Sequence, residues 1–329
     1  MPTAILATLL LAVCAMTSSA QQARPPQQGP SSKEAEGQGP PIRVLVEEVT
    51  VPFIVTDNKR RLTTNLNQED FQVIEEKEPQ QVTGFARETD VPLSIGLLIY
   101  TSNSIRDRFA FEQRAASDFL RALLRPGKDR AFLASFDSMA ELVQDFTDDL
   151  GKLVDAIESL RPGGGTALYD AIYYGCRDKL LEGAPDLGSY RRAMVVLSDG
   201  EDNQSRYSRL QTLEVAQRAE VTIYTISTNI RGIRMPGDKV LQEFAEETGG
   251  RYFQPFTMSD LDAAFQEINT ELRSQYSISY RPTSSRDGKY HEIDIVTQKK
   301  GLRVRARRGY YATRPPGLIP PDSPAAPAK

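Results

Sequence analysis

Four short apolar runs, "LSIGLLI", "AFLASF", "AMVVLS" and "VTIYTIS", recur along residues 93–227 with amphipathic stretches between them, and this alternation restricts the fold more than any other feature. Runs of six or seven residues suit strands buried on both faces. Between and after them, Leu150, Leu153, Val154, Ile157 and Leu160 follow helical spacing, as do Leu261, Ala264, Phe265, Ile268 and Leu272. Ser259, with Asp262 three residues on, reads as the cap of that second helix. Strands alternating with helices predict a doubly wound α/β domain over residues 91–273, Rossmann-like in layout, on a mainly parallel sheet covered on both sides.

The flanks have a different texture. Val49, Val51, Phe53 and Val55 alternate, "FQVIE" and "QQVTGFA" follow polar turns, and residues 42–90 therefore read as a β segment. Residues 274–312 return to strands: "YSISY", then "KYHEIDIVT" across an Asp287-Gly288 turn signal, then "LRVRARRGYY" across Gly301. Neither segment can bury a core alone, so the two are expected to pair into one small β-domain beside the α/β insertion. Arg303, Arg305, Arg307 and Arg308 are expected to form a solvated basic face of it, with Leu302, Val304 and Ala306 turned inward.

Residues 1–20 form an apolar stretch ending in small residues, with Ser18 and Ala20 placed as at a signal-peptidase cut, and read as a secretory signal. Val13 before Cys14 argues against a lipoprotein. Residues 21–41, rich in Pro and Gln, and the Pro-rich residues 313–329 hold little apolar material and read as disordered arms. No other run approaches the ~20 apolar residues of a membrane span. The expected location is therefore secreted or periplasmic.

A formal net charge of -4 gives no global reason to expect nucleic acid as a partner. The single histidine, His291, falls on a strand of the C-terminal β segment, far in sequence from the loops described next, so a nucleophile would lack a base. The glycine clusters do not form the G-x-x-x-x-G-K-[ST] phosphate loop. Cys176, at helical spacing with Leu168, Ile172 and Leu180, reads as a small core residue. The chain is accordingly expected not to be an enzyme.

In an open α/β sheet, ligands gather at the carboxyl ends of the strands. Three loops at such ends are "YTSNS" after the first strand, "GGGTALYD" before a helix and "SDGEDN" after "AMVVL". Ser102, Ser104, Thr166 and Asp199 are oxygen donors that suit a hard cation such as Mg²⁺ or Mn²⁺ and disfavour zinc. This order of loops resembles the von Willebrand factor type A fold with its metal-ion-dependent adhesion site. The phrases "TDNKRRLTTNLNQEDFQVIEE", "GGGTALYDAI", "VVLSDGEDN" and "YSISYRPTSSRDGKYHEIDI" carry a similarity to secreted VWFA-related proteins of Acidobacteria over residues 42–312.

By that resemblance Ser102 and Ser104 take the two serine places of Asp-x-Ser-x-Ser, Thr166 the threonine place and Asp199 the third-loop aspartate, while Tyr100 stands where the first aspartate belongs. A phenol is neutral at physiological pH. One charge lost at about 4 Å from a cation is worth roughly 4 kcal/mol at an effective dielectric of 20. The expected site is degenerate, holding Mg²⁺ or Mn²⁺ weakly or not at all. Asp170 reads as a first-turn helix residue and Asp202 as a loop residue. The resemblance implies an adhesion-type module that binds a protein or peptide at this edge, through an acidic side chain of the partner, with Tyr100, Thr101, Asn103 and Asp202 as contacts. The alternative is a structural scaffold whose β-domain or arms make the main contacts. Burial of the Tyr100 ring would favour the scaffold and its exposure would favour recognition.

Overall fold

The computed structural model describes residues 48–101, 106–183, 190–229, 233–284 and 287–312. The signal, the spacer, the tail and Ser102, Asn103 and Ser104 lie outside the described residues.

The apolar runs form a six-stranded sheet. Its strands are β5 (Leu93–Tyr100), β6 (Arg130–Phe136), β7 (Ala140–Thr147), β8 (Arg191–Ser198), β9 (Thr222–Ser227) and β10 (Tyr252–Phe253), in the order β10-β9-β8-β5-β6-β7. All neighbours are parallel except the β6-β7 pair. Every residue of β5, β8 and β9 is buried, as strands covered on both faces require. The antiparallel β7 is an edge strand of mixed polarity, and no apolar run announces it.

Among the described residues, six α-helices cover the sheet: α1 (Arg106–Leu123), α2 (Leu150–Ser159), α3 (Leu168–Tyr174), α4 (Arg209–Arg218), α5 (Pro236–Glu247) and α6 (Met258–Leu272). A π-helical turn, Gly175–Leu181, continues α3 and buries Cys176. α1 packs against α2 and α6, α3 against α4, and α5 against β9. α6 is capped two residues before the expected Ser259: the Thr257 hydroxyl accepts from the Asp260 amide at 3.2 Å, and the Asp260 carboxylate accepts from the Thr257 amide at 2.9 Å. No helix among the described residues is long and apolar enough to cross a membrane.

The flanking segments fold together into two four-stranded sheets. One has the order β13-β1-β11-β4, from Leu302–Ala306, Val49–Asp57, Gln275–Tyr280 and Val82–Glu88. The other has the order β14-β12-β2-β3, from Gly309–Tyr311, Tyr290–Thr297, Phe71–Glu75 and Glu78–Gln80. Val51 faces Ile278 across β1 and β11, and Ile295 faces Val73 across β12 and β2. Phe53, Phe71, Phe85 and Tyr276 fill the space between, with Phe53 and Phe71 edge to face at 4.9 Å. Asp287-Gly288 and Gly301 therefore do not close hairpins. Each joins strands of different sheets, because the partner strands come from the amino-terminal segment.

Arg305 and Arg307, in β13 and the turn after it, also depart from expectation. Arg305 pairs with Glu271 of α6, Arg307 with Glu220 at 2.8 Å beside α4, and Arg308 with Glu247 of α5 at 3.5 Å. Arg307 is buried, whereas Arg303 is exposed. Arg305 and Arg307 thus form a seam with the α/β half, since Glu271 is buried and a buried carboxylate requires a partner, while Arg308, like Arg303, stays exposed as expected.

Candidate functional site

The carboxyl ends of β5, β6, β8, β9 and β10 all open onto one edge of the sheet, as parallel pairing dictates. Tyr100 closes β5 there. Its side chain is 4% exposed, its ring lies 5.6 Å from that of Phe136, and its hydroxyl is 2.8 Å from Thr166 Oγ1. Thr166 is itself 3% exposed. Its amide donates to Asn203 Oδ1 at 3.1 Å, and its carbonyl accepts from the amides of Asn203 and Gln204, each at 3.0 Å. A hydroxyl pair thus joins β5 to a threonine whose backbone is fixed from both sides by the loop after β8.

Asp199 begins that loop. Its Oδ1 accepts from the Glu201 amide at 3.1 Å, and burial pushes its carboxyl above the ordinary aspartate range. The next residue, Gly200, has φ +78, and a Cβ there would stand 2.1 Å from the Gly237 carbonyl oxygen. The loop therefore rests backbone to backbone on the first turn of α5. The glycines before Thr166 make a similar approach: a Cβ on Gly163 would meet Asp137 Oδ2 at 2.0 Å. The Gly164 amide donates to the same carboxylate at 3.1 Å.

Two nearby carboxylates are engaged by backbone amides. Asp170 Oδ1 accepts from the amides of Arg206 and Tyr207 at 2.8 and 3.1 Å, which is a loop clamp rather than a helix-dipole contact. Asp202 accepts from the Tyr169 amide at 3.0 Å and from the Ser205 hydroxyl at 2.5 Å. Thr101 is buried, with its amide on the Phe136 carbonyl at 3.0 Å. Tyr100 and Thr101, expected as partner contacts, are both buried, and an acidic partner group would find the Thr166 hydroxyl already engaged.

Asp137 and Asn203 also shape the site, and sequence reasoning passed over both. The signal for Asp137 was its place directly after "AFLASF", at a strand end. For Asn203 the only signal was its position within "SDGEDN".

The described donors are poor in charge for a divalent cation. The first-loop position offers a neutral phenol, the threonine hydroxyl is bonded to that phenol, and Asp199 is the carboxylate that remains of the expected set. Among the described residues, no three His, Cys, Asp or Glu side chains converge as metal ligands. His291 lies in the sandwich, 3.3 Å from Asp287 and 3.9 Å from Glu75.

The family model of the von Willebrand factor type A domain matches residues 94–271. No curated protein matches the sequence significantly. Among solved structures the chain is similar to the conserved hypothetical protein BatB from Bacteroides thetaiotaomicron, at 20% identity and TM-score 0.45, covering 55% of this chain and 100% of that one. It is also similar to proximal thread matrix protein 1 from the mussel byssus, at 16% identity and TM-score 0.48, covering 60% and 50%. A von Willebrand factor type A protein from Catenulispora acidiphila aligns at 12% identity and TM-score 0.47, covering 73% and 76%.

Proposed function

Because the chain belongs to the von Willebrand factor type A domain family, we propose that it is a non-enzymatic, secreted or periplasmic binding module that recognises a protein at the carboxyl edge of its sheet without a tightly held metal. One observation carries this reading. Of the seven large apolar side chains exposed among the described residues, five lie on that edge: Met139, Leu210, Ile233, Phe256 and Met258, each between 46% and 69% exposed. They follow the ends of β6, β8, β9 and β10, with Met139, Ile233 and Phe256 in loops and Leu210 and Met258 in the first turns of α4 and α6, so no local sequence feature groups them. Burying one such side chain against a partner contributes about 1.5–3 kcal/mol. Several at one edge make an anchor set around a site whose polar centre is closed.

The test is retention of envelope or medium proteins from the source organism on the immobilised chain, against an Ile233→Ser, Phe256→Ser variant, with and without chelator. A defined protein retained by the wild type, lost by the variant and indifferent to chelator is expected. Equal retention by both chains would remove the rim from recognition.

The burial of Tyr100 favours a second reading, a scaffold whose β-domain or arms make the main contacts. The same experiment separates them, since a scaffold's partners survive the rim substitutions.

A further inference from the structure

We infer that Tyr100 acts as a covalently attached replacement for the cation, locking the upper loops into one arrangement that needs no Mg²⁺ or Mn²⁺. This goes beyond the proposed binding role and does not depend on it. A tyrosine hydroxyl lies farther from its Cα than an aspartate oxygen does, by more than one metal–oxygen bond of ~2 Å. It therefore reaches directly to a threonine that an aspartate would reach only through an intervening ion. Tyr100 makes that reach, at 2.8 Å to Thr166 Oγ1.

The two ends of this bridge are fixed independently. Phe136 packs beside the ring, and the neighbouring Thr101 holds the Phe136 carbonyl with its amide and accepts from the Gly163 amide with its own carbonyl. On the other side Asn203 and Gln204 grip Thr166. The bridge thus connects the end of β5, the glycine loop and the loop after β8, the three segments that a shared ion would otherwise connect. Asp199 agrees with this account. Its Oδ1 is turned to its own loop, where it accepts from the Glu201 amide.

The experiment compares the full chain with Tyr100→Phe and Tyr100→Asp. Each is titrated with Mg²⁺ by calorimetry and with Mn²⁺ by water-proton relaxation, and each is melted with and without millimolar cation. The wild type is expected to bind neither ion and to melt at one temperature in cation or chelator. Tyr100→Phe, which keeps the ring and loses the hydroxyl, should melt lower in both conditions. Tyr100→Asp should melt lower in chelator and regain stability with cation, binding it at sub-millimolar concentration. Three results overturn the inference: sub-millimolar Mg²⁺ or Mn²⁺ binding by the wild type, no loss of stability in Tyr100→Phe, or a folded Tyr100→Asp that binds no ion. If Tyr100→Asp fails to fold, the wild-type titration and Tyr100→Phe still decide. Rim-dependent partner capture is a separate measurement, so either idea can fail alone.

Discussion

Glu112, in the second turn of α1, is 1% exposed, and neither carboxylate oxygen has a hydrogen-bond partner. The nearest compensation is the Arg108 guanidinium at 3.7 Å, which spends another nitrogen on the Thr228 carbonyl at 2.8 Å. Burial pushes the Glu112 carboxyl up to about 7 from an ordinary 4.5, with Arg108 opposing the rise. The raised native value means that the folded chain keeps a proton the unfolded chain has released. The contribution to stability is therefore full below about pH 4.5 and lost as pH rises through 7. A difference of about 2.5 pH units corresponds to roughly 3 kcal/mol. Glu112→Gln removes the titration, so the variant should match the wild type near pH 4.5 and exceed it by up to about 3 kcal/mol at pH 8. For a folded region of this size that is on the order of 6–10 °C in Tm. Urea unfolding of both chains across the range isolates the effect, because every other titrating group is shared. A difference between the chains that stays flat from pH 5 to 8 would refute the reasoning.

Two further perturbations probe the frame that presents the site. Glu271→Gln leaves Arg305 and Arg251 facing a neutral amide at a buried position, which should cost about 3 kcal/mol in urea unfolding. A variant within about 1 kcal/mol of the wild type would deny the seam a structural role. Gly200→Ala places a Cβ against the Gly237 carbonyl at a left-handed φ, so stability should fall by more than about 2 kcal/mol, and amide shifts in α5 should accompany the loss. Unchanged α5 resonances would show that the two loops are not in contact.

The α/β half was legible because burial on both faces leaves an unbroken apolar run, and β5, β8 and β9 carry one each. β7 was not, since an edge strand keeps polar residues on its open side. The β-domain was legible as a pairing of the two flanks but not in its strand order. The turn signals at Asp287-Gly288 and Gly301 specify a local change of direction and say nothing of which strand lies next door. The start of α6 shows the same limit at smaller scale. In "TMSDLD" both Thr257 with Asp260 and Ser259 with Asp262 have capping-box spacing, and the side-chain bonds select the first. At the candidate site the sequence set Tyr100, Thr166 and Asp199 on three loops at strand ends, and the structure joins the first two. It could not show that the ring turns inward, or that Asp170 is spent on amides 36 and 37 residues away.

The apolar rim shares one more property, which bears on whether it can act as a binding face. Met139 sits in a turn held by Asp137, whose Oδ1 accepts from the Met139 amide at 3.3 Å. Leu210 follows Ser208, which caps α4 by accepting from the Gln211 amide at 3.3 Å. Phe256 and Met258 flank the Thr257 cap, and the Phe256 amide donates to Asp260 at 3.2 Å. Ile233 lies between two contacts of the fully buried Asp238, which accepts from Asn229 Nδ2 at 3.0 Å and the Met235 amide at 2.7 Å, besides Ser227 and Tyr252. Burial works to raise the Asp238 carboxyl, yet these bonds hold it below the usual aspartate range, so the clamp stays charged at neutral pH. Each exposed apolar group is therefore carried on backbone already fixed by a side-chain bond. Binding at such a rim forgoes much of the ordering cost that a loose loop would incur. A surface serving only to be solvated has no need of apolar groups held in place this way, and that combination favours recognition over a passive scaffold.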